Sequence, residues 1–101
     1  MNEAVGMIEV FGLVTAFVAA DAACKAGNVT IETFDKNKPG NADALPVPLL
    51  VLVKIRGSVA DVKAAMEAAE AAANGVSGVS QKYIIARPDQ DTEKMLRISA
   101  I

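Results

Sequence analysis

The chain has no histidine, no tryptophan and a single cysteine, and aromatic residues make up only 4% of it. Each shortage removes a class of chemistry. Cys24 alone cannot close an intramolecular disulfide, and without histidine the common zinc constellations are out of reach, so a reducing, cytosolic setting is expected and no metal site. A nucleophilic cysteine needs a neighbouring base. Cys24 has no imidazole anywhere in the chain and falls within a helical pattern, where a small buried core residue is expected. Paired carboxylates offer no better start: Glu9 and Glu32 fall on strand-like runs with no identifiable partner, and Glu67 and Glu70 lie on an alanine-rich helix, where they read as a solvated face. The phosphate-cradling P-loop, the dinucleotide Gly-x-Gly-x-x-Gly and the Cys-x-x-Cys pair are all absent. A non-enzymatic protein without a cofactor is expected.

An excess of one charge is also lacking. Ten basic and twelve acidic residues give a net charge of −2, with no basic block, so nucleic acid is not an expected partner. No apolar run reaches the roughly 18 residues that a membrane span requires. The opening VGMIEVFGLVTAFVAADAAC has the outline of a leader ending at a modifiable cysteine. It has Glu3 and no Lys or Arg in front, Glu9 interrupts the apolar run and Asp21 lies just before the cysteine, so it is not expected to act as one. What the chain has in quantity is alanine and valine, within a hydrophobic share of 52%. Such side chains bring backbones close but each buries little area, and a domain of about 100 residues hides only about two thirds of its unfolded surface. One domain is expected, covering residues 1–101, with a surface suited to flat, close packing against another subunit.

Val5 to Phe11 (VGMIEVF) reads as a strand before Gly12. From Leu13 to Ala26, Val14, Phe17, Val18, Asp21 and Cys24/Lys25 recur at three- and four-residue steps, which predicts a helix closed by Gly27. Val29 to Phe34 alternates as a half-buried strand, with Val29, Ile31 and Thr33 on one face and Thr30, Glu32 and Phe34 on the other. Pro48 to Ile55 (PLLVLVKI) is nearly continuous apolar sequence, as expected of a central strand, and Arg56-Gly57 ends it. Ser58 caps a second helix over Val59 to Ala73, with Asp61 completing a capping-box-like pattern, and Asn74-Gly75 stops it. Ser80 to Ala86 is a fourth strand leading into Arg87-Pro88, and Asp91 to Ser99 form a short last helix. The order β-α-β-β-α-β with a helical tail predicts an α+β fold of the ferredoxin-like kind, two main helices on one face of a four-stranded antiparallel sheet. That architecture serves many functions and supplies none by itself.

Particular stretches carry a resemblance. GMIEVFGLVTAFVAADAACKAGNVTI (Gly6 to Ile31) resembles the N-terminal half of the bacterial microcompartment shell domain, the BMC domain, in its GMIE-type strand, its Gly-Leu helix entry and the run from Asp21 through Lys25 to Asn28 and Val29. VKIRGSVADVKAAMEAAEAAA (Val53 to Ala73) is similar to that domain's third strand, Arg-Gly turn and second helix, and YIIARPDQDTEKML (Tyr83 to Leu96) to its last strand, Arg-Pro step and C-terminal segment. The likeness covers about nine tenths of the chain in unpermuted order. It implies a homohexameric disc with a central pore, many copies of which tile the facets of a protein shell around enclosed enzymes in the bacterial cytoplasm. It also implies that Lys25, Asn28 and Arg87 stand at the edge where neighbouring hexamers and other shell proteins meet. For a protein in general, Lys25 would be a helix-end cation complementing the dipole and Arg87 a solvated strand-end charge.

The resemblance breaks at one place. In most hexameric shell proteins a very short loop, commonly Lys-Ile-Gly-Ser-Gly, joins the second and third strands and rings the pore. Here the corresponding region is DKNKPGNADALPVP, residues 35–48. Position in the fold implies that this stretch lines or covers the axis, with Lys36, Asn37, Lys38, Pro39, Gly40, Asn41, Ala42 and Asp43 as pore-loop residues that select small metabolites by sign and size. Pro39, Pro46 and Pro48 restrict its backbone, and Leu45 and Val47 are candidates to pack its base. Three arrangements are open: the loop rings and narrows the pore, splays over one face as a docking surface, or is a solvated insertion. A competing class is a small-molecule sensor of the nitrogen-regulatory type, a trimer that contacts partners through a loop in this slot. That class calls for a Gly-rich anion cradle with adjacent Lys or Arg, which is not found here. An acylphosphatase-like domain would need an Arg-bearing loop where this chain has Phe11-Gly12-Leu13.

Overall fold

The computed structural model describes residues 3–45 and 48–99. Its elements follow the expected order: β1 (Ala4–Phe11), α1 (Leu13–Ala26), β2 (Thr30–Asn37), β3 (Leu50–Gly57), α2 (Val59–Asn74), β4 (Val79–Ile85) and α3 (Gln90–Leu96). The strands form one antiparallel sheet in the order β2-β3-β1-β4, which is the ferredoxin-like arrangement. Central β1 and β3 are the apolar runs of the sequence; β2 and β4, more polar, are the edges.

One face of the sheet carries the core. Ile8, Val10, Val51, Val53 and Ile55 are buried beneath Ala16, Ala19, Ala20 and Ala23 of α1 and Val62, Ala65, Met66, Ala69 and Ala73 of α2. Burying each valine or isoleucine side chain contributes about 1.5–3 kcal/mol, while the alanines contribute mainly by letting the helices lie close. Gly6 serves the same end. A Cβ at this position would fall 2.8 Å from the side chains of Met66 and Val62, so glycine is what allows α2 to settle on β1.

Two expectations need correction. The larger apolar residues that mark α1 in the sequence do not form its buried stripe: Thr15, Ala16, Ala19, Ala20 and Ala23 face the core, while Val14 and Phe17 are 72% and 61% exposed. Cys24 is likewise exposed, not a core residue. It lines a shallow apolar groove with Phe17, Ala20, Asp21, Ile31 and Phe34, because the helix turns its alanines inward to approach the sheet.

The second correction concerns β2. Ile31 pairs with Ile55 and Thr33 with Lys54, leaving Glu32 as the extra residue of a bulge. The bulge resets the alternation. Phe34 joins Ile31 against α1, its ring meeting Phe17 edge-on at a centroid distance of 5.0 Å. The strand then continues to Asn37, so Asp35, Lys36 and Asn37 pair with β3 and the connection begins only at Lys38.

Candidate functional site

The strand registers define two ends of the domain. At one, Phe11 and Asn37 both pair with Leu50, Val10 pairs with Val79, and the connection from Lys38 begins. At the other, Ala4 pairs with Gly57, Thr30 with Arg56 and Val5 with Ile85. Helix α1 runs back from the first end to the second, so Lys25, in its last turn, lies at the second end, and Asn28 lies beside Gly57. Arg87, two residues beyond β4, lies at that same end on the flank opposite β2.

Local contacts explain how the second end is built. Ser58 caps α2 by accepting the Asp61 N–H at 3.1 Å, and its hydroxyl donates to Asp61 Oδ2 at 2.9 Å. Asp61 Oδ1 accepts the backbone N–H of Asn28 at 3.2 Å, which ties the turn before β2 to the start of α2. A Cβ on Gly27 would fall 2.6 Å from the Asp61 carbonyl oxygen, a backbone atom that cannot yield, so this junction requires glycine. Lys25 is exposed and pairs with Asp21 one turn earlier at 2.7 Å, a hydrogen bond that raises the lysine pKa. Such exposed pairs are weak and readily exchanged for another partner. Arg87 is exposed, in the bend between β4 and α3.

The first end carries the connection. Gly40 and Asn41 form a turn, followed by a 3-10 turn over Ala42–Ala44; Ala42 N–H donates to Pro39 O, Ala44 N–H to Asn41 O and Leu45 N–H to Ala42 O. Ala42 is buried and Leu45 half-buried, anchoring this turn, whereas Lys36, Asn37, Lys38, Gly40, Asn41 and Asp43 are exposed. Pro46 and Val47, expected to stiffen and pack the loop, lie outside the described residues. The side chains of Lys36, Lys38 and Asp43 are exposed and, among the described residues, none forms an ion pair, so each presents its charge to its surroundings.

The sheet face opposite α1 and α2, where α3 lies, holds what sequence reasoning missed. Lys54 and Arg56, on central β3, are only 3% and 7% exposed. Lys54 Nζ meets Asp35 Oδ2 at 2.7 Å and donates to the carbonyls of Leu96 and Ile98 at 3.1 and 2.8 Å. Arg56 donates to both carboxylate oxygens of Glu93 at 2.8 and 2.6 Å, to Glu32 at 3.1 Å and to the carbonyl of Glu3 at 3.2 Å. The bond to Glu93 raises the Arg56 pKa despite its burial and holds the Glu93 carboxyl below its ordinary value. Glu32 is therefore partnered, contrary to expectation, and so is Glu9, which accepts from Ser80 Oγ at 2.8 Å and Gln81 Nε2 at 3.3 Å. Glu70, read as a solvated charge, is paired with Lys82. These carboxylates tie strands and helices together, which accounts for them without catalysis. No helix among the described residues is long and apolar enough to cross a membrane.

The chain is thus a ferredoxin-like α+β domain with a charged loop at one end of the sheet and, at the other, a glycine-tightened junction near Lys25, with Arg87 on the opposite flank. The chain belongs to the BMC domain family: the BMC domain matches residues 4–88. It is 43% identical over 95 residues to the bacterial microcompartment shell protein PduA of Citrobacter freundii, covering 94% of this chain and 92% of that protein. It is 39% identical over 100 residues to the carboxysome shell protein CcmK2 of Synechocystis, covering 97% and 88%. In fold it is similar to a microcompartment protein from Desulfitobacterium hafniense, with a TM-score of 0.70 and 22% identity over all of this chain and half of that one. The family sets the sensor and acylphosphatase alternatives aside.

Proposed function

We propose that the protein is a structural shell protein that forms cyclic homohexamers, and that these tile the facets of a bacterial microcompartment with a central pore shaped by the loop from Lys38. The observation that carries this reading is the opposition of the two ends: the charged loop at one, and Lys25, Asn28 and Arg87 at the other. A domain arranged in that way can point its loop at a six-fold axis while its cations face outward to neighbouring hexamers. Extents of 40 × 28 × 17 Å suit a flat tile. The exposed Val14 and Phe17 give subunits apolar surface to cover, as closed heterologous rings do. The exposed Lys36, Lys38 and Asp43 would form charged rings at the axis, through which small metabolites pass without turnover. Other shell proteins and the enclosed enzymes are the expected partners.

The test is assembly. Lys25→Ala should leave hexamers intact by native mass and abolish two-dimensional sheets in electron microscopy, because only the contact between discs is lost. Sheets that form unimpaired would remove Lys25 from the edge.

A further inference from the structure

Lys54 is a lysine held inside the molecule, and its three ammonium protons have three acceptors: Asp35 Oδ2, the Leu96 carbonyl and the Ile98 carbonyl. An ammonium removed from water is tolerated only when its donors are satisfied in this way. Two of the acceptors come from the C-terminal segment and the third from the end of β2, three residues before the loop begins. Two further contacts join the same partners: Ser99 Oγ donates to the Phe34 carbonyl at 3.1 Å, and Thr33 Oγ1 makes a longer contact of 3.5 Å to the Ile98 carbonyl. The segment thus lies against residues 33–35 of an edge strand that a bulge has already weakened.

What holds the segment is mostly polar. Leu96 is buried, but Met95 and Ile98 are 65% and 54% exposed, so little apolar area secures it. Segments of this kind open at lower free energy than the core they rest on. When this one lifts away, Lys54 loses two of its three acceptors, and the remaining partner is the carboxylate that anchors the end of β2.

We propose that residues 96–99 form a detachable brace, coupled through Lys54 to Asp35, whose docking holds the stem of the loop and whose release loosens Lys36 to Leu45. The brace acts on the loop whatever the loop faces, so it stands apart from the hexameric reading and extends beyond it. A partner that captures the C-terminal segment would by this route change the loop at a distance.

Backbone amide hydrogen exchange tests the coupling in three variants: a chain ending at Arg97, Lys54→Met in the full chain, and the two combined. Ending the chain at Arg97 keeps the Leu96 carbonyl but removes the shorter bond to Ile98 and both direct contacts to residues 33 and 34. It should speed exchange between Phe34 and Leu45 by about tenfold while leaving β1 and α2 unchanged. Lys54→Met should give a similar acceleration, and the combination should add little to either, since both cut the same link. The shortened chain leaves every side chain of the sheet in place, so it decides the matter should Lys54→Met fail to fold. Unchanged exchange in the loop stem of the shortened chain, or fully additive effects of the two changes, would overturn the brace.

Discussion

Arg56 and Glu93 meet in a two-pronged contact that is largely shielded from water, and charge-assisted bonds of that geometry are the strong ones. Glu93→Gln keeps the shape and removes the charge, so it should lower the free energy of unfolding by about 1.5–3 kcal/mol in a urea titration at neutral pH. The pH dependence follows from the same contact. Because the guanidinium holds the Glu93 carboxyl below its ordinary range, the folded state binds fewer protons there than the unfolded chain. The resulting stability is complete above the unfolded value of about 4.3 and is lost as pH falls through the lower folded value. The urea midpoint of the wild-type protein should drop in that acid range, and Glu93→Gln should flatten the drop; equal slopes would show that other carboxylates dominate. None of this was legible from the residues alone, since Lys54 falls within a nearly continuous apolar run and Arg56 reads as its terminus. One signal was present. Two cations at alternate positions of a central strand share a face, and that face must supply them with acceptors. Cys24 misled for the opposite reason: helical spacing locates a helix but does not say whether its alanines or its larger residues turn inward.

At the scale of elements, the start of α2, which a side-chain cap fixes, was readable, and the end of β2, which pairing fixes, was not. Ser58 and Asp61 announce the start of α2, and the structure uses both in the way that the spacing suggests. Ser58→Ala should cost about 1 kcal/mol. It should also act beyond the helix, because Asp61 loses the hydroxyl that helps orient it toward the Asn28 N–H. Faster amide exchange at Asn28 in that variant, restored by Ser58→Thr, would show that the cap and the turn before β2 are one unit; an effect confined to the first turn of α2 would separate them. The far end of β2 carries no such mark. Asp35, Lys36 and Asn37 have the composition of a loop, and they are strand only because β3 supplies the partner row and the bulge at Glu32 keeps the register in step. The 3-10 turn over Ala42–Ala44 was equally hidden, since a few local hydrogen bonds among small residues leave no period in the sequence.

For the whole molecule, assembly and permeation are separable. A ring of six chains of 10.5 kDa should run at about 60 kDa in native mass measurements, whereas about 30 kDa would indicate a trimer and overturn the hexamer. In the proposed hexamer, permeation would depend on what the loop presents to the axis, and among the described residues its exposed charged side chains without an ion-pair partner are two lysines and one aspartate. Asp35, the other acid of the region, is bound to Lys54 and does not offset them. With the loop around the pore, hexamers in a planar bilayer should therefore pass anions more readily than cations, because rings of fixed charge select by sign. The reversal potential in a salt gradient reads this directly. Lys36→Glu with Lys38→Glu should change its sign without altering native mass, and replacing residues 38–48 with Gly-Ser-Gly should raise conductance while weakening the selectivity. A loop that splays away from the axis gives the other result: selectivity untouched by both changes, at which point the pore would have to be assigned to residues outside the loop.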